Sequence, residues 1–164
     1  MDAQKPETPS VKPIKRPVQK IVINLSQQKL FANTDKKTDF EFHCVSGDAD
    51  HPTPRGKFKI LKKYRIYRSR SYDAQMNYAL QLTTSGIFIH ESYNFVENPK
   101  KQNFFATKMS DSTAFVMSHI RSAFPNTAKA FGSHGCVRLA HSDAVKLFDW
   151  AQENDEVEII TQNR

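Results

Sequence analysis

The stretch KIVINLSQQKLFANTDKKTDFEFHC, residues 20–44, decides the fold class. Ile21, Ile23 and Leu25 recur at every second position, a polar turn at Ser26 to Gln28 interrupts them, and Leu30 and Phe31 resume the apolar run. Side chains two residues apart share one face of a strand, so the pattern predicts a hairpin rather than a helix. Phe40, Phe42 and Cys44 then alternate with Glu41 and His43 and add a third strand.

Forward from this stretch, a turn rich in Gly47, Asp48, Pro52, Pro54 and Gly56 is followed by Phe58 and Ile60, which restore the alternation. Tyr78, Leu80 and Leu82 repeat it, as does the run Ile87 to His90, so the first two-thirds of the domain reads as β. Two helices are predicted next. Between Asp111 and Phe124, Val116, Ile120, Ala123 and Phe124 keep helical spacing, Asp111 or Ser112 can cap the start, and Pro125 forces an end. From Ser142, the positions Ala144, Leu147, Phe148 and Ala151 line one helical face. A last strand spans Glu156 to Ile160, and no internal repeat is visible. The expectation is a mainly β domain with flanking helices, arranged as a sandwich or partly closed barrel.

Backward from residue 20 the composition changes. Residues 1–19 hold Pro6, Pro9, Pro13 and Pro17, four of the eight prolines, interleaved with Lys5, Lys12, Lys15 and Arg16. Such a segment buries too little apolar surface to fold and reads as a flexible tail or linker, leaving 20–164 as one domain. The bulk figures agree with a single core, since 164 residues are 38% hydrophobic and 25% charged. No apolar run approaches the roughly 20 residues that cross a bilayer, so a soluble chain is expected. The start MDAQKPETPS has no apolar stretch of the signal-peptide kind. It suits a cytosolic protein, or one whose export signal has been removed. A net charge of +7 favours an anionic partner, whether nucleic acid, a lipid surface or a carboxylate-bearing polymer.

Chemistry concentrates in Gly132-Ser133-His134-Gly135-Cys136-Val137-Arg138-Leu139, a segment too polar and glycine-rich to be core. A cysteine reacts as thiolate, which a neighbouring imidazole, cation or exposed amide must favour. His134 supplies an imidazole two residues away. Gly135 permits a sharp turn that aims amides near Cys136 at a developing oxyanion, and Ser133 and His134 can orient the site by hydrogen bonds. Taken singly, a cysteine is more often a packing residue, but this context favours a nucleophile. Cys44, which shares a strand face with Phe40 and Phe42, reads instead as a buried thiol.

His90, His134 and Cys136 are legitimate zinc ligands, yet they lack the short ligand pair of a structural site, so no metal site is expected. His43, His51, His119 and His141 read as structural or solvated. The run from Lys62 to Tyr72 interleaves basic and aromatic residues as a single-strand nucleic-acid groove does. A charged strand edge that blocks edge-to-edge pairing is the commoner explanation, and nucleic acid is not expected as a partner.

The four residues Ser133-His134-Gly135-Cys136 resemble the Ser-His-Gly-Cys motif of the L,D-transpeptidase catalytic domains, also called YkuD-like. Ile89-His90 looks like the Ile-His pair that supplies the family's base from the end of a strand. Val45-Ser46-Gly47 resembles its Val-Ser-x-Gly turn, and Thr53-Pro54-Arg55-Gly56-Lys57-Phe58 its Thr-Pro-x-Gly-x-Phe segment. The likeness extends over residues 20–160. Two departures stand out. Residues 91–132 form a long insertion between the histidine and the cysteine motif, expected to make a lid or wall beside the cleft, and Glu91 replaces the glycine that usually follows the Ile-His pair.

The resemblance implies a two-step acyl transfer on peptidoglycan tetrapeptide stems. Cys136 would attack the L,D bond before D-alanine, His90 would relay protons, and His134 with Ser133 and Gly135 would line the oxyanion site. Arg138 would bind a substrate carboxylate, and no metal or organic cofactor would be required. The acceptor would be a second stem, an envelope protein or water, the last giving L,D-carboxypeptidase activity. A periplasmic or envelope location follows from that substrate alone. A catalytically silent peptidoglycan-binding module remains the alternative from another class. A cysteine peptidase of unrelated fold is disfavoured because no histidine follows His141.

Overall fold

The computed structural model describes residues 16–69, 74–91, 94–95 and 133–161. The expected hairpin is there: β1 (Gln19–Asn24) and β2 (Lys29–Thr34) pair antiparallel, with Ile21 opposite Ala32 and Ile23 opposite Leu30. All four are fully buried. Fully burying a side chain such as Ile or Leu contributes about 1.5–3 kcal/mol, which pins the register, because a one-residue slip would turn this face to solvent. Gln28 closes the turn in a left-handed conformation, and its side chain bonds the Leu25 carbonyl at 2.7 Å and the Ser46 hydroxyl at 2.8 Å.

The nine-residue β3 (Lys37–Val45) belongs to both halves of the sheet. Along most of its length it pairs with β2, while its last residues, Cys44 and Val45, pair with Leu139 and Arg138 of β9 (Val137–Leu139). The remaining strands are β4 (Gly56–Lys59), β5 (Lys62–Ser69), β6 (Ala74–Gln81), β7 (Phe88–Glu91), β8 (Asn94–Phe95) and β10 (Glu156–Ile160). Their order is β4-β10-β1-β2-β3-β9-β7-β6-β5, with β8 also on β6. The result is a curled mixed sheet, a half-barrel. β10 runs parallel to β1, and β9 runs parallel to β7.

Inside the curl lie Ile21 and Ile23 from β1, Val157 and Ile159 from β10, and Val137 and Leu139 from β9. Cys44 is among them at zero exposure, as its place beside Phe40 and Phe42 predicts. The edge reading of the basic run also holds, since β5 closes one end of the sheet with Lys62, Arg65 and Arg68 exposed.

Among the described residues there is one helix, α1 (His141–Trp150), which buries Ala144 and Leu147. It starts one residue earlier than the sequence reading placed it. Ala140 is the N-cap, and it makes no side-chain capping bond. The predicted helix from Asp111 to Phe124, the rest of the insertion after Glu91 apart from β8, and the tail through Lys15 lie outside the described residues. No described helix is long and apolar enough to cross a membrane.

Candidate active site

Parallel pairing of β7 with β9 assembles the site. Ile89 faces Val137 and His90 faces Arg138, so the same register aligns Phe88 with Cys136. Because side chains alternate along a strand, Cys136, Arg138 and His90 all project from one face of the sheet. Strand spacings place the Cα atoms of Cys136 and His90 about 8 Å apart, close enough for their side chains to lean together.

Cys136 is 6% exposed, among Met76, Ala79 and Phe88. Its thiol lies 3.5 Å from the Gly86 carbonyl, and the Phe88 amide donates to the sulfur. Burial raises the thiol pKa above its usual value, opposed by the Phe88 amide and by the charge of Arg138. His90 is fully buried. Burial pushes its pKa down to about 3, with Arg138 adding to the fall and its bond to the Glu91 carbonyl opposing it. Both groups are therefore neutral in this conformation. A carbonyl can only accept, so the bond from His90 Nδ1 to the Glu91 carbonyl puts the proton on Nδ1 and makes Nε2 the basic nitrogen.

The loop before Cys136 is clamped by the loop after β3. The Ser133 amide donates to the Ser46 carbonyl at 3.0 Å and the Asp48 amide to the Ser133 carbonyl at 2.9 Å, closing a parallel bridge between Gly47 and Ser133. Thr53 ties the two loops together: its hydroxyl accepts from the Gly47 amide at 2.8 Å and donates to the Gly135 carbonyl at 2.9 Å. Within the motif the Ser133 hydroxyl donates to the Cys136 carbonyl. Gly135 takes a φ of 99°, a conformation that side-chain-bearing residues rarely adopt, and this gives the turn ahead of the cysteine.

His134 is exposed and sits against His51, the rings tilted at 45° with centroids 4.5 Å apart, while His51 bonds Asp48 at 3.1 Å. His51 thus has a partner that the sequence reading did not foresee. His141 likewise binds Glu91, at 2.5 Å. Thr53 sits in the segment matched to Thr-Pro-x-Gly-x-Phe, which was its only signal. Asp48, His51 and Gly86 gave none, because each reaches the cysteine loop across about 50 residues or more. No described group of three His, Cys, Asp or Glu side chains is placed to hold a metal.

Comparisons with known proteins follow the same line. The chain is similar in structure to an L,D-transpeptidase from Stackebrandtia nassauensis, at a TM-score of 0.63 and 22% identity, covering 98% of this chain and 62% of that one. It is similar to Mycobacterium tuberculosis L,D-transpeptidase 1 at 0.59 and 19%, covering 88% and 62%. A third solved structure, of an L,D-transpeptidase in complex with imipenem, matches at 0.61 and 20%, covering 88% and 59%. At these identities the likeness speaks for the fold, and the chain spans about three-fifths of the length of each. No curated protein matched. The family model described as the L,D-transpeptidase catalytic domain, YkuD, matches residues 18–159, and the chain belongs to that family.

Proposed function

We propose that the chain catalyses L,D-transpeptidation on peptidoglycan tetrapeptide stems, with Cys136 as nucleophile and His90 as base. The observation that carries this reading is the parallel register of β7 and β9, which sets Cys136, His90 and Arg138 on one sheet face. In the first step the sulfur bonds the carbonyl carbon before D-alanine while its proton passes to His90 Nε2. Collapse breaks the C–N bond, and His90 returns the proton to the departing amine. An acceptor amine, from a second stem or an envelope protein, then attacks the thioester and frees the thiol. Amides of the turn at Gly135 and Cys136, with Ser133 and His134 alongside, stabilise the oxyanion, and Arg138 takes a stem carboxylate.

Both reacting groups start neutral, so the thiolate forms during attack rather than waiting as half of an ion pair. The burial that keeps His90 neutral also makes it a weak base. The chain's +7 charge suits a carboxylate-rich wall polymer, and an envelope location goes with that substrate.

Incubation with imipenem, the ligand named for one of the similar structures, tests the reading directly. Intact mass spectrometry is expected to show one adduct, mapped to Cys136 and absent from Cys136→Ala. A folded chain that acquires no adduct overturns the proposal. The 6% exposure of Cys136 favours one second reading, a silent wall-binding module. Product analysis on muropeptides separates the two, and a tripeptide product without crosslinks would identify an L,D-carboxypeptidase.

A further inference from the structure

We infer that Glu91 is a positioning residue for His90, holding the orientation of its ring through a polar chain in which the buried Glu91 carboxylate joins Asn77 and the half-exposed His141. The inference rests on the proposed role of His90 as base. Glu91 ends β7 and is 1% exposed. Strand alternation sends its carboxylate to the opposite face from His90, toward the start of α1. There one oxygen accepts from the Asn77 side-chain amide of β6, and the other lies 2.5 Å from His141 Nδ1 at the first position of α1.

An ionised carboxylate taken from water costs several kcal/mol unless it is paired and hydrogen-bonded, so this arrangement persists only while both partners hold it. The carbonyl of the same residue accepts the His90 Nδ1 proton. A residue whose side chain is fixed to two other elements presents a carbonyl with little freedom to swing. That carbonyl in turn fixes the tautomer and plane of the imidazole facing Cys136. The glycine usual at this position in the family has no side chain with which to supply such an anchor. Groups that hold a histidine's hydrogen-bonding partner in place fix ring orientation and basicity, and at metal-bound histidines their loss typically costs about 10–100-fold in function.

The test combines two readouts on the full chain. Ring 15N shifts of His90 report its tautomer by NMR, and the rate of imipenem acylation at Cys136 reports function. The wild type is expected to hold a single Nδ1–H tautomer. Glu91→Gln keeps the shape and one acceptor oxygen, puts an amide donor in place of the other, and is expected to retain that tautomer with most of the rate. Glu91→Ala should mix the two tautomers and slow acylation by about 10–100-fold. A folded Glu91→Ala with the wild-type tautomer and rate overturns the inference. Should that variant not fold, His141→Leu removes one arm of the chain and is read in the same way, an unchanged tautomer and rate again overturning it. A wild-type chain that takes no adduct would refute the proposed function, while the tautomer comparison would still decide the role of Glu91.

Discussion

Gly47 has no room for a methyl group. A Cβ there would stand 2.1 Å from the His51 carbonyl oxygen, 2.8 Å from the Thr53 nitrogen and 2.9 Å from Gly135 Cα, all backbone atoms that cannot turn aside. The loop after β3 and the loop before Cys136 would have to separate, breaking the Thr53 bridge. Gly47→Ala is therefore expected to destabilise the fold by about 1–3 kcal/mol and to slow imipenem acylation more than tenfold, read from urea unfolding and mass spectrometry. Unchanged values in both would mean that the clamp does not position the cysteine. The candidate loop was legible in sequence, because Ser133, His134, Gly135 and Cys136 are consecutive and form a local pattern. Their supports were not. Thr53 meets Gly135 across 82 residues and Glu91 meets His141 across 50, and no local pattern encodes such pairs. The burial of Cys136 was equally invisible, since a polar, glycine-rich stretch reads as surface.

At the scale of elements, α1 ends without a basic residue in its last turn, and its carbonyls are met from another strand. Lys63 of β5 donates to Phe148 O and Ala151 O, each at 2.5 Å, with its ammonium 4.5 Å from the centre of the Phe148 ring. Burial lowers its pKa, opposed by Asp149, Asp155 and Glu153. Lys63→Met keeps the apolar stem and removes the donors. It is expected to cost about 1–2 kcal/mol in thermal or urea unfolding, whereas Lys62→Met on the exposed edge should stay within about 0.5 kcal/mol. Equal effects of the two would refute this anchoring role. Strand positions were readable because alternation is local: Ile21 and Ile23 point inward as their spacing predicts. The parallel pairings of β1 with β10 and β7 with β9 were not, since period two announces a strand without naming its neighbour. The start of α1 was missed by one residue because Ser142 is the better capping type, yet the Ala144 amide bonds the Ala140 carbonyl at 2.9 Å.

For the whole molecule, the buried pair sets a window of stability. His90 in the folded chain binds its proton only near pH 3, against an ordinary 6.5. Between those values the unfolded chain carries the extra proton, so the stability from keeping the ring neutral is present above 6.5 and lost as pH falls toward 3. Cys136 acts at the other limit. Its thiol pKa lies above the ordinary 9.0, so its contribution is present below that value and lost as pH rises through it. Urea midpoints should show a plateau near neutrality and an acid slope containing about 1.4 kcal/mol per pH unit from His90. His90→Gln is expected to remove that part, and an unaltered slope would refute the assignment. Paired carboxylates such as Asp48 add their own losses, but below about pH 4.

The position of β10 carries a consequence for biosynthesis. It is the strand latest in sequence, yet it lies between β1 and β4, with Lys20 joined to Glu156 across 136 residues. Until residues 156–160 have been made, β1 has an open edge and β4 lacks its one partner among the described strands, so the half-barrel cannot assemble progressively behind the ribosome. Its architecture is completed from the far end, in one late closure that joins the earliest strand to the last.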